Sequence, residues 1–123
     1  MTPEELKKRT KNFALEVMKL IRELPSGIES SVISHQLIRA ATSVAANYRA
    51  ACRTRSHAEF LSKIKIVEEE ADESSFWLEL VVDAKLLSIK KVQPCLNESS
   101  ELTAIFSATA KTTKLNYFSK SNK

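Results

Sequence analysis

The sequence predicts an all-α fold, an antiparallel up-down-up-down four-helix bundle, and three observations carry that expectation. The 123 residues hold one Gly and three Pro, too few for the turn signal that sheet folds need about every 8–12 residues. Hydrophobic residues make up 43% of the chain, enough for one core in a single domain over 1–123. Apolar positions recur in alternating steps of four and three, the spacing of helices packed along a bundle seam.

The first helix is expected over about 3–24. Thr2 caps it, Pro3 suits its first position and Glu5 closes a capping box. Leu6, Phe13, Val17, Leu20 and Leu24 form its stripe, and Pro25-Ser26-Gly27 ends it. The second helix spans about 31–53, opening at Ser30 or Ser31, with Ile33, Leu37, Ala40, Val44, Asn47 and Ala51 on its seam. Its small residues at Ala40-Ala41 and Ala45-Ala46 allow close helix approach. Ser56 and Glu59 form a second capping box that starts a third helix over about 57–87. Phe60, Ile64, Val67, Ala71, Ser74, Leu78 and Val81 mark its inner face. Residues 88–91 are read as a link to a fourth helix over about 92–114, with Pro94 in its first turn and Leu102, Ile105, Phe106 and Thr109 facing inward. The tail 115–123 is expected to fray.

The net charge of +4 hides a segregation by segment: +1 over 1–30, +4 over 31–56, −5 over 57–87 and +4 over 88–123. A basic second helix beside an acidic third one predicts a structural polar layer of Gln36, Arg39, Asn47, Glu69 and Glu73, with Arg39 and Arg49 meeting carboxylates of the third helix. Such a layer fixes register more than it adds stability. Several acids on an inner bundle face would also suit a di-metal centre, but that centre needs Glu three residues before His on two helices. Neither His35 nor His57 has one. No metal and no cofactor is expected.

Catalysis is not expected either. Serines and threonines fall mostly at caps, links and the tail, away from any base with an orienting partner. One Gly cannot build a phosphate-binding loop. Cys52 and Cys95 stand apart and read as weakly polar fillers. With no apolar run near 18 residues and no signal-like leader, the expectation is a soluble, cytoplasmic protein without a membrane role.

The pattern that points outward is basic. Arg49, Arg53 and Arg55 cluster with Tyr48 at the corner between the second and third helices, and no acid lies between Glu29 and Glu59. Arginines one turn from an aromatic ring can hold phosphates and stack on a base. Lys7, Lys8, Arg9 and Lys11 make a second patch. Lys8, Arg49, Arg53 and Arg55 are therefore the candidate contacts to RNA or DNA. The alternative is a protein adaptor whose charges only keep it soluble.

Phe13, Ala14, Val17 and Leu20, then Leu24-Pro25, then the block Gln36-Leu37-Ile38-Arg39-Ala40-Ala41-Thr42-Ser43-Val44-Ala45-Ala46-Asn47, resemble a known family. Arg53-Thr54-Arg55-Ser56 with Glu59-Phe60, the stretch Asp72 to Leu80, and Glu101 to Phe106 continue the likeness. The family is the four-helix-bundle proteins encoded by intervening sequences of bacterial 23S rRNA genes. The resemblance implies a homo-oligomer, a ring-like homopentamer, with no enzymatic activity. A related branch, the accessory proteins of diversity-generating retroelements, implies nucleic acid and a reverse transcriptase as partners. Many members follow the Asn with an Ile-x-Glu-Gly corner. This chain has Tyr48-Arg49-Ala50-Ala51 there, which makes its corner more basic and more helical.

Overall fold

The computed structural model describes the backbone of residues 1–121 and the side chains of residues 1–116. Four helices, α1 (Pro3–Ile21), α2 (Ile28–Ala51), α3 (His57–Asp83) and α4 (Ile89–Ser121), form the expected bundle. Each packs on its neighbours in chain order, and α4 returns to α1 to close the ring, while among the described residues the backbones of diagonal helices stay apart and meet only through core side chains. Short links between antiparallel neighbours produce this arrangement. Phe13 and Val17 from α1, Leu37 and Val44 from α2, Ile64, Val67 and Leu78 from α3, and Leu102 and Phe106 from α4 fill the centre at 2% exposure or less. Burying each such side chain stabilises the fold by about 1.5–3 kcal/mol.

The helix starts follow their caps. The Thr2 hydroxyl accepts from the Glu5 amide at 3.1 Å while Glu5 accepts from the Thr2 amide at 3.4 Å, and Pro3 sits in the first turn. At α3 the Ser56 hydroxyl accepts from the Glu59 amide at 3.1 Å. The Glu59 carboxylate reaches one residue further back than a capping box requires, to the Arg55 amide at 3.1 Å. That bond ties the arginine corner to the first turn of α3.

The helix ends differ from expectation, each for a local reason. α1 stops at Ile21 because Glu23 and Leu24 bond back three residues, to Leu20 and Ile21, tightening the last turn. α2 begins at Ile28, three residues before the expected 31, because the Gly27 carbonyl accepts the first bond from Ser31 at 3.0 Å. α3 ends at Asp83 instead of 87. Lys85 turns left-handed at φ 60°, its amide bonds Val82, and the Leu86 amide bonds Val81. This is the pair of bonds of a Schellman stop, here without glycine. α4 starts at Ile89, inside the expected link, with the Ser88 carbonyl accepting from Lys91 and Val92. Pro94 therefore lies past the first turn, on an exposed position where the carbonyl left without an amide partner can meet water. α4 also runs through most of the stretch expected to fray, to Ser121, while 122–123 lie outside the described residues.

The seam of α2 shifts by one residue. Asn47 is only half-buried, and its amide bonds the Ser43 carbonyl at 3.0 Å and hydroxyl at 2.8 Å within α2. Tyr48 takes the core position instead, 5% exposed, its ring 5.3 Å from that of Phe106. With alanines at both 40 and 41 buried, the inner face follows the 3.6-residue helical period instead of a strict heptad.

Candidate nucleic-acid interface

Two sets of polar side chains were singled out above, and they lie in different places. The polar layer is a surface bridge between α2 and α3. Arg39 Nη1 donates to Glu70 Oε2 at 2.9 Å, Nη2 bonds Glu73, and Nε lies 3.5 Å from Gln36 Oε1. Trp77 Nε1 donates to Glu73 Oε2 at 3.4 Å and extends the row. Glu70, Glu73 and Trp77 share one helical stripe, whereas Glu69 points about 100° away from Glu70 and is exposed. The structure thus brings Gln36, Arg39 and Glu73 together, adds Glu70, and leaves Glu69 and Asn47 out.

The basic residues divide more sharply. Arg9, counted above in a basic patch, is consumed by a two-pronged bond to Glu98 at 2.7 and 2.8 Å and a third contact to Glu101 at 3.0 Å. The Glu98 bond raises the Arg9 pKa and holds its charge in place. Lys7 bridges Glu4 at 3.1 Å. Lys8, Arg49, Arg53 and Arg55 are exposed, and among the described residues none of them has an ion-pair partner. Arg49 accordingly does not pair with the acids of α3.

Antiparallel order puts the start of α1, the end of α2, the start of α3 and the last turns of α4 at one end of the bundle. There they enclose an open cleft of about 980 Å³. Its floor is apolar: Tyr48 and Ala51, buried in α2, with the half-buried ring of Phe60 beside them. Arg55 and His57 line it from the corner and Lys7 from α1. Thr113 and Asn116 close it from α4. Burial pushes the Tyr48 hydroxyl pKa well up, so the floor is neutral. Of the four expected contact residues only Arg55 lines this cleft; Arg49 and Arg53 sit outside it on the same corner and Lys8 on the outer face of α1.

Reading along the chain missed Lys7, His57, Phe60, Thr113 and Asn116 as neighbours of the arginines. The bundle topology alone would have placed them: each falls in the first or last turns of a helix at the same end.

A family model described as "23S rRNA-intervening sequence protein" matches residues 4–108. The chain belongs to this family. A solved structure from Bacteroides thetaiotaomicron VPI-5482, described as a protein of unknown function from the S23 ribosomal protein family, is 29% identical to it. That likeness covers 90% of this chain and 99% of that one, with a TM-score of 0.80. No curated protein matches the chain. The match to residues 4–108 takes in Arg49, Arg53 and Arg55 but stops before Thr113 and Asn116.

Among the described residues no three His, Cys, Asp or Glu side chains are placed to share a metal ion, and no helix is long and apolar enough to cross a membrane.

Proposed function

We propose that this family member is a non-catalytic, oligomeric bundle that binds RNA or DNA through its basic end. The observation that carries the reading is the exposed trio Arg49, Arg53 and Arg55, without ion-pair partners among the described residues. A structural role would draw arginines into bridges, as it does Arg9 and Arg39. Held at a helix end, three uncompensated guanidinium groups suit phosphates in geometry and charge. The family's association with ribosomal RNA genes supports the same class of partner; a reverse transcriptase is the protein partner implied by the related branch. The cytoplasm is where such a partner would be met.

Filter binding to RNA and DNA tests the reading. Binding is expected at low salt, with affinity falling steeply as salt rises. The combined variant Arg49→Gln, Arg53→Gln, Arg55→Gln should reduce the slope of log affinity against log salt by about two for single strands and nearly three for duplex DNA. No retention at low salt sinks the proposal.

Self-assembly, a homopentamer by resemblance, is supported by apolar side chains that the single chain leaves uncovered. Ile28 is 80% exposed, Val32 54% and Phe76 52%, beside the half-buried Trp77. A second copy would cover such a surface. Light scattering should give five times 13.8 kDa; a monomer would end this part alone.

A further inference from the structure

We infer that the end cleft is a pocket for one unpaired nucleotide of a strand, its base on the apolar floor and its phosphate at Arg55. The inference rests on the nucleic-acid reading above and specifies what that corner grips.

Three properties of the cleft carry it. At about 980 Å³ it lies at the upper end of the range for small-ligand sites, roughly 300–1,000 Å³. It has room for a nucleotide and not for a duplex, whose base faces are stacked away and whose phosphates need a surface that follows a groove. Its walls are mixed in the way a nucleotide is. Phe60 offers an accessible ring beside the buried Tyr48, and the opposite wall offers the Asn116 amide and the Thr113 hydroxyl for a base edge or a ribose. The Thr113 hydroxyl donates to the Thr109 carbonyl at 2.8 Å, which leaves it as an acceptor toward the cleft. Finally, the charges match one phosphodiester. Lys7 is answered by Glu4 within the cleft, so among the described residues Arg55 supplies its one uncompensated Lys or Arg charge, where a free mononucleotide would bring nearly two negative ones.

A base lifted from a strand and laid on an aromatic ring gains about 1–3 kcal/mol irrespective of its identity. The pocket therefore selects for strandedness over sequence. Arg49 and Arg53, outside the cleft, would follow the flanking phosphates and treat strand and duplex alike.

Fluorescence anisotropy with a labelled unstructured 12-nucleotide RNA, and with the blunt duplex of the same sequence, tests this on the full chain. The strand is expected to bind at least tenfold more tightly. Phe60→Leu, which keeps an apolar filler but removes the ring, should weaken strand binding about 5- to 150-fold, the worth of one stacked base, and leave the duplex unchanged. Phe60→Tyr should restore the preference, which separates loss of stacking from loss of fold. Equal affinity for strand and duplex, or equal loss of both in Phe60→Leu, overturns the pocket while the basic corner stands. If neither RNA binds at low salt, the corner reading fails first. A titration with the dinucleotide UpU, which carries one phosphodiester, followed by amide NMR then decides the cleft: saturable shifts at Phe60 and Asn116 keep it, and their absence overturns it.

Discussion

Gly27 takes φ 145° and ψ 164° as it hands the chain into α2, a region essentially closed to other residues. No heavy atom outside its chain neighbours lies within 4 Å of where a Cβ would stand, so the requirement is conformational and not steric. Gly27→Ala should destabilise by about 1–3 kcal/mol in urea unfolding. Lys85 makes the opposite case, holding φ 60° with a side chain attached. Lys85→Gly should stabilise by about 0.5–1 kcal/mol by the same measurement. Gly27 was legible in the sequence as the break after the first helix, whereas Lys85 was not, because a left-handed stop leaves a signal only when glycine occupies it. Cys95 supplies the third residue-scale effect. Burial, and after it the charges of Glu16 and Glu98, push its thiol from about 9 up to about 11. The unfolded chain thus loses this proton before the folded one does. Stability is whole below about pH 9 and falls as pH rises toward 11, by on the order of 2 kcal/mol. Thermal melts of Cys95→Ala should lack that part of the alkaline decline.

Helix α1 meets α4 over the sparsest of the four interfaces, and the Arg9–Glu98–Glu101 clip lies across it. Arg9→Lys keeps the charge but loses the fork and should cost about 1 kcal/mol. Arg9→Ala also leaves Glu98 and Glu101 without their shared cation, and should cost about 2 kcal/mol, lessened by salt. Chemical denaturation at low and high ionic strength separates the two. The α3–α4 interface uses a different device, a buried hydroxyl pair, Ser75 and Ser99, with oxygens 2.6 Å apart. Their small size lets the helices approach closely while each polar atom is satisfied. At this scale the sequence was informative where the period was clean: every inner position expected for α3 from Ile64 to Val81 is buried. It was less so in α2, where paired alanines blur which residue leads each turn and Tyr48 displaced Asn47. The carboxylates of α3 were hard to resolve because Glu68, Glu69 and Glu70 are consecutive, and only packing decides which one faces Arg39.

At the level of the molecule, charge is sorted by place as well as by segment. The acids of α3 answer Arg39 along the side of the bundle, while the arginines of the α2–α3 corner stay uncovered at its end. Bundle architecture was legible in composition and period because both describe every helix at once. The cleft was not, since it is made by residues up to about 110 positions apart. α4, at 33 residues about 50 Å long against about 28 Å for α1, supplies its last wall with Thr113, at the edge of the expected helix, and Asn116, just beyond it. Because that pocket draws a wall from each of the four helices, it exists only while all four are assembled. An occupant therefore acts as a fastener: it has nothing to hold on an unfolded chain, so binding shifts the folding equilibrium toward the assembled bundle. A hundredfold excess of ligand over its dissociation constant should raise the unfolding free energy by about 2.7 kcal/mol, and differential scanning fluorimetry with the 12-nucleotide strand should register it as a higher melting temperature, a rise that Phe60→Leu diminishes.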